Sequence, residues 1–176
     1  MVKEIDFSKY IRNVSNFPQD GIQFKDITPL LNNGKIFSEA IKILSQKFSK
    51  NNITKVCAIE SRGFILGSAI ANFLKVGFVP IRKKNRLPFK IKSIKYELEY
   101  GKNEIEIHID AFSKDDNVLL VDDLLATGGT VSAAISLIKM LNIKICGIVF
   151  LVELDFLNGR NKLSNYDIFS LIHFKE

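Results

Sequence analysis

Two cysteines and two histidines are too few for most of the chemistry those residue types usually announce. A disulfide framework or a zinc site needs several of them at tight spacing. Cys57 and Cys146 stand far apart, each within an apolar run, and both are expected to be reduced, buried strand residues. His108 and His173 have no ligand-like neighbours in sequence and are expected to be structural or surface residues. Long apolar runs are missing too: Val118–Val121 and Ile145–Val152 are far too short to cross a bilayer. The N-terminus, Met1-Val2-Lys3-Glu4-Ile5-Asp6, has acids where a secretory leader needs a cationic start and an apolar stretch. A cytoplasmic protein with no membrane partner is the expectation. No repeat, low-complexity tract or linker divides the chain, and no aromatic-interleaved basic stripe accompanies its formal charge of +6. A Lys- and Asn-rich composition, or a cleft for a small anion, accounts for that charge better than nucleic acid does.

What remains is ordinary globular material. With 176 residues, 47% of them apolar and 25% charged, the chain suits one α/β domain with its own core over residues 1–176. An N-terminal segment, about Val2 to Val14, gives way to a loop punctuated by Pro18, Gly21 and Pro29. Phe37, Ala40, Ile41, Leu44 and Phe48 recur at helical spacing, predicting a helix from about Lys35 to Ser49. Val56–Ile59 reads as a buried strand, followed by a helix containing Gly63 and Gly67 and reaching Lys75. A second strand, Gly77 to Arg82, leads into a basic stretch ending at Lys95, whose Lys90, Lys92 and Lys95 are assigned to a solvated face. Alternating segments Tyr96–Tyr100 and Glu104–Ile109 flank Gly101-Lys102-Asn103, predicting a hairpin arm that turns there. Strand Val118–Asp122, helix Gly129–Leu141, strand Ile145–Leu151 and a short strand near Phe169–Phe174 complete the chain. Such alternation implies a mainly parallel sheet with helices on both faces, with ligands bound beyond the carboxyl ends of the strands.

The residues just after the third such strand carry the most chemistry. Asp122 and Asp123 end an apolar run, Ala126-Thr127-Gly128-Gly129-Thr130 follow, and a helix begins. Glycines let backbone N–H groups approach a phosphate, the threonines add hydroxyl donors, and the helix N-terminus favours negative charge. Two carboxylates beside an anion make sense as acceptors for neighbouring ribose hydroxyls, or as help in holding Mg²⁺. Phosphate cradle plus diol acceptors describes a ribose 5-phosphate. The stretch is neither a Walker loop, lacking Gly-Lys-Ser/Thr, nor a Gly-x-Gly-x-x-Gly dinucleotide fingerprint.

With this layout the chain resembles the type I phosphoribosyltransferases. Phe17-Pro18-x-x-Gly21-Ile22-x-Phe24-Lys25-Asp26-Ile27-Thr28-Pro29-Leu30-Leu31, Glu60-Ser61-Arg62-Gly63-Phe64-Ile65-Leu66-Gly67, Pro80-Ile81-Arg82-Lys83 and Tyr96-x-Leu98-Glu99-Tyr100-Gly101 are similar to the branch acting on adenine. The resemblance implies a Rossmann-like sheet of the type I phosphoribosyltransferase fold, with a small hood (about 1–34), a core (about 35–176) and a mobile β arm (about 84–109) over the site. It implies phosphoribosyl pyrophosphate (PRPP) and adenine as substrates, AMP and pyrophosphate as products, and a homodimer. Mg²⁺ is required and is brought mainly by PRPP, Asp122 and Asp123 being the candidate protein ligands beside their alternative role toward the ribose. By the same resemblance Ser61, Arg62 and Gly63 take pyrophosphate, the Glu60–Ser61 peptide is cis, and Arg82, Lys83 and Arg86 face the same group. Glu99 accepts the adenine proton, with Arg62 and Lys83 as its catalytic partners, and Tyr100 closes over the substrates. Phe24 stacks on the purine, the Lys25 backbone meets its edge, and Leu157 covers the opposite face. Asn85-Arg86 departs from the family's more usual Gly-Lys, although Asn tolerates positive φ and Arg keeps the charge.

Two rivals share part of this pattern. An enzyme of the same fold acting on hypoxanthine, guanine, xanthine or orotate would keep Asp122–Thr130 but lack the Phe24 loop and the Glu99 arm. A PRPP-sensing regulator of RNA or DNA would exploit the positive charge without needing a complete catalytic set.

Overall fold

The computed structural model describes residues 5–98 and 101–176. Its centre is a seven-stranded sheet in the order β5-β6-β4-β3-β7-β8-β9. Strands β3 (Lys55–Ile59), β4 (Gly77–Lys83), β7 (Asn117–Leu125), β8 (Lys144–Leu154) and β9 (Ile168–Phe174) are mutually parallel. Antiparallel β6 (Gly101–His108) joins the edge of β4, and β5 (Ile91–Leu98) pairs with β6. The expected mainly parallel α/β architecture is what the chain forms.

Alternation along the central strands explains why both faces are covered. Val56 and Ala58 of β3 point into one core with Leu119, Val121, Val149 and Leu151. Cys57 and Ile59 point into the other with Leu120, Ile148 and Phe150. Helices α2 (Gly34–Lys47) and α3 (Arg62–Leu74) close the first face, and α4 (Gly129–Lys139) closes the second. The Asn33 side chain accepts from the Ile36 N–H at 3.3 Å and starts α2, which buries Ile36, Ala40, Ile41 and Leu44 at helical spacing. α3 is apolar on most sides, as suits a helix wedged between the sheet and α2, and it stops at Lys75 in the left-handed conformation.

Three expectations need correction. The segment before Pro18 and the loop after it form a two-stranded ribbon, β1 (Arg12–Ser15) against β2 (Gln23–Asp26), followed by the short helix α1 (Thr28–Asn32). Strands of four residues with an interrupted apolar pattern carry too little periodicity to be seen in sequence. The arm's turn also lies elsewhere: β5 starts at Ile91, and Leu98 pairs with Gly101, so Gly101, Lys102 and Asn103 belong to β6. The base of this ribbon is packed rather than free, because Ile105 and Ile107 are buried in the second core. Finally, Cys57 is buried but Cys146 is only half-buried. Register in β8 slips beside β7, where Val118 pairs with Ile145 and Leu119 with Gly147. Cys146 is the extra residue of that bulge, and the Asn51 side-chain amide donates to its carbonyl at 3.2 Å.

Candidate functional site

Beyond the carboxyl ends of β3, β4, β7 and β8 lies an open cavity of about 470 Å³. The sheet therefore delivers to one place the residues that follow its apolar runs. Ser61 and Arg62 come from the turn after β3, Lys83 from the end of β4, and Asp122 through Thr130 from the end of β7 into α4. Leu157 comes from a 3-10 turn, Asp155–Leu157, after β8.

The loop after β7 is shaped for backbone donors. Gly128 sits at φ +79° and caps α4 with no side chain satisfying the first-turn N–H groups. A Cβ on Gly128 would lie 2.8 Å from the Gly159 carbonyl oxygen, so only glycine fits. The N-terminus of α3 opens onto the same cavity, again without a side-chain cap at Ser61, and the Glu60–Ser61 peptide is cis. Two helix N-termini thus face one space, which suits a ligand with negative charge at two separated points.

Between them lies the carboxylate pair. Gly63 makes room for Asp122, since a Cβ there would come within 2.8 Å of an Asp122 carboxylate oxygen. Asp122 accepts the Asp123 amide at 2.9 Å. Arg62 reaches Asp123 Oδ2 at 2.8 Å, yet that buried oxygen has no aligned hydrogen bond. Burial, then repulsion from Asp123, pushes the Asp122 carboxyl well above the usual range. Burial raises Asp123 as well, with Arg62 opposing. One guanidinium is too little for two carboxylates, Asp123 buried and Asp122 half-buried, and hydroxyl donors or a cation would complete them.

Arg62 also connects to the N-terminal ribbon: its guanidinium carbon stands 4.8 Å from the centre of the Phe24 ring. Phe24 packs edge-on against Phe17 at 5.0 Å, the residue before the cis Pro18. Neither Phe24 nor Lys25 lines the cavity itself. The Lys25 ammonium is turned away, donating to Asn13 Oδ1 at 2.8 Å and lying 4.0 Å from the Phe174 ring centre, and burial lowers its pKa.

The basic residues after β4 divide. Lys83 lines the cavity, whereas Arg82 donates through Nε and a terminal nitrogen to Glu60 and through the other to the Arg86 carbonyl. Burial works against the Glu60 charge, but Arg82 and the Lys83 amide outweigh it and hold the carboxyl below its usual range. The Arg86 side chain is exposed, and Asn85 takes φ +61°, the left-handed turn its residue type allows. Gly63 lies behind Asp122 rather than in the wall. Glu99 and Tyr100 lie outside the described residues.

Sequence reasoning passed over several neighbours. Tyr96 and Asn103, paired across β5 and β6, line the arm side of the cavity. A correctly set hairpin register would have revealed them, because cross-strand partners share a face. Glu60 was visible within its motif but not as the anchor of Arg82. His173, with no partner in sequence, meets Asp155 through Nδ1 at 2.8 Å. Glu153, Asp155 and His173 place one ligand atom each within 4.8 Å of one another. Glu153 is nonetheless taken by Arg160 and Ser170, so that cluster is closed by its own hydrogen bonds.

The chain matches the phosphoribosyl transferase domain family over residues 26–174. It is 48% identical over 170 residues to adenine phosphoribosyltransferase of Symbiobacterium thermophilum, spanning 97% of this chain and 100% of that protein. Among solved structures it superposes on adenine phosphoribosyltransferase from Thermoanaerobacter pseudethanolicus with a TM-score of 0.91 and 47% identity, covering 94% of this chain and 96% of that one. The Saccharomyces cerevisiae adenine phosphoribosyltransferase, solved with adenine and an imino-altritol bisphosphate, matches with a TM-score of 0.86 and 40% identity, covering 93% of this chain and 94% of that one.

Proposed function

Because the chain belongs to the phosphoribosyl transferase family, and within it to the adenine phosphoribosyltransferases, we propose that it converts adenine and PRPP to AMP and pyrophosphate in purine salvage. The observation that carries this reading is the convergence in one cavity of a glycine loop, a second helix N-terminus and an under-compensated carboxylate pair.

In the proposed arrangement the 5-phosphate lies on the N–H groups of Thr127, Gly128, Gly129 and Thr130, beside Ala126, and the Thr127 and Thr130 hydroxyls donate to it as well. Asp122 and Asp123 accept from the ribose hydroxyls, which donate to the oxygens that Arg62 leaves incompletely satisfied. Pyrophosphate rests near Ser61, Arg62 and Lys83, with Arg82, Gly63 and Arg86 holding that wall from behind. Adenine N9 forms its bond to the anomeric carbon as the bond to pyrophosphate oxygen breaks, the electron pair leaving with pyrophosphate. Lys83, Arg62 and the N-terminus of α3 stabilise that growing negative charge. Glu99 accepts the proton adenine releases, and Tyr100 closes over the substrates; both assignments rest on the sequence resemblance. Phe24 stacks on the purine once Arg62 turns to pyrophosphate, the Lys25 backbone meets the purine edge, and Leu157 covers the other face. The carboxylate pair fits Mg²⁺ arriving chiefly on PRPP: Asp122 and Asp123 would help hold the ion, which would supply neutralisation of the leaving group's charge.

No helix among the described residues is long and apolar enough to cross a membrane, and the substrates are small polar metabolites, so we place the reaction in the cytoplasm. A homodimer is part of the same proposal: α3 leaves Ile65 and Phe73 42% and 47% exposed, an apolar side that suits a second copy.

The test is AMP formation from adenine, PRPP and Mg²⁺, with hypoxanthine and guanine in competition. Adenine should win; equal use of 6-oxopurines would remove the proposed base pocket. Glu99→Ala should lower turnover by about a hundredfold or more, the usual range for a general base, while PRPP still binds. Unchanged turnover would take Glu99 out of the mechanism.

A further inference from the structure

We propose that Arg160 is a positioning residue for the sugar phosphate: its ion pair with Glu153 holds Gly159 against the back of the glycine loop and so fixes the loop's donors. The proposal rests on the assignment of the 5-phosphate to residues 126–130.

The contact between the two loops is backbone on backbone. A Cβ on Gly159 would lie 2.1 Å from the Ala126 carbonyl oxygen and 2.9 Å from the Gly128 amide nitrogen. No side chain can stand there, and any shift of residue 159 is passed directly to the amides proposed to grip phosphate. Something must therefore hold residue 159 still, because it follows the left-handed Asn158 at φ +53° and opens a single 3-10 turn, Gly159–Leu163, directly after that kink.

The next residue supplies the hold. Arg160 donates through Nε to Glu153 Oε1 at 2.9 Å and through a terminal nitrogen to Oε2 at 2.6 Å. Its other terminal nitrogen reaches the Ile168 carbonyl at 3.3 Å, and Ser170 donates to Glu153. The two-pronged geometry fixes direction as well as distance, which an ammonium would not. Glu153 in turn is paired in register with Leu125, the last residue of β7 before the glycine loop. The clamp thus ties the ends of β7 and β8, and β9 at Ile168 and Ser170, to Gly159. Arg160 itself is outside the cavity wall, so its influence on ligand must pass through Gly159.

The test is PRPP binding without adenine, by titration calorimetry, alongside kcat, KM for PRPP and unliganded melting temperature. Gly159→Ala and Arg160→Lys should each weaken PRPP by about tenfold or more, as displaced supports of a binding site do, with kcat at saturating PRPP much less affected. Arg160→Lys retains the charge and isolates the loss of the fork. Ser170→Ala removes one hydrogen bond on Glu153 and keeps the ion pair; as the mildest variant it should fold even if the others do not, and weaken PRPP about twofold. A lowered melting temperature with unchanged PRPP affinity in these variants, while Thr127→Ala weakens PRPP, would leave the phosphate assignment standing and sink the positioning role. Unchanged affinity in Thr127→Ala as well would remove both.

Discussion

β7 and β8 run side by side and both end in buried acids, but the two ends are in opposite electrostatic condition. At the end of β8, Glu153 is 4% exposed and accepts from Arg160 and Ser170. Burial disfavours its charge, yet those partners outweigh burial and hold its pKa below the usual range. At the end of β7, Asp123 is 6% exposed and shares one imperfectly aligned guanidinium with Asp122. Burial wins there, and both carboxyls titrate above the usual range. A completed acid belongs to the structure; an incomplete pair beside a cavity is arranged for something that arrives later.

The sharpest way to break this contrast is to neutralise each end in turn. Asp122→Asn or Asp123→Asn should reduce kcat/KM for PRPP by roughly tenfold to a hundredfold, since hydrogen bonds to charged acceptors are worth about 1.5–3 kcal/mol each. Steady-state kinetics with PRPP as the varied substrate measures it. If those variants kept parental kcat/KM, the pair would have no claim on the ribose.

On the β8 side the loss should appear in stability. Arg160→Gln strands a buried carboxylate, a class of change that costs about 3–5 kcal/mol when both partners are buried. With the Arg160 side chain 42% exposed, solvent screening reduces this to roughly 2 kcal/mol, or about 4–8 °C in melting temperature. A melting curve within a degree of the parent would contradict the reading of Glu153 as dependent on its partner.

A smaller effect has the opposite sign. A carboxyl whose pKa is higher folded than unfolded binds its proton more tightly when folded, so it costs stability once pH rises through that raised value. Asp122→Asn should therefore make the unliganded protein more stable at neutral pH, by relieving a desolvated, repelled carboxylate, even as it disables PRPP use; thermal melting without ligand reads the sign. Glu153→Gln should do the reverse. Equal destabilisation by both would erase the distinction between the two strand ends.

The same signs order the response to acid, which is the gentlest test. Asp122 and Asp123 take up protons first as pH falls, because their pKa values are raised. The stability supplied by Glu153 is present above its unfolded pKa and is lost only as pH falls through its lowered folded value. PRPP affinity should therefore decline at a higher pH than the melting temperature does. Coincident declines would mean that binding is lost only through unfolding.

The sheet was legible in sequence because Val56–Ile59, Val118–Val121 and Ile145–Val152 are apolar on both faces, the mark of strands covered by helices on either side. The glycine loop and the two aspartates were legible because they are contiguous, and their chemistry depends on adjacency. What stayed hidden depends on pairing across distance. The arm's register is set by Leu98 opposite Gly101 and brings Tyr96 and Asn103 to the cavity, which alternation alone does not specify. The bulge that lifts Cys146 out of the core is a property of β8 against β7, not of either segment. Likewise, Arg160 is an unremarked cation until the fold sets it on Glu153.

Where the sugar phosphate sits decides the roles of all these residues, and a crystal structure with PRPP and Mg²⁺, without adenine, tests that most directly. The 5-phosphate should lie on the amides of Thr127 to Thr130, with the ribose hydroxyls donating to Asp122 and Asp123 and Arg62 drawn from Asp123 toward pyrophosphate. A sugar bound elsewhere, with the loop after β7 unoccupied and Arg62 still on Asp123, would contradict it.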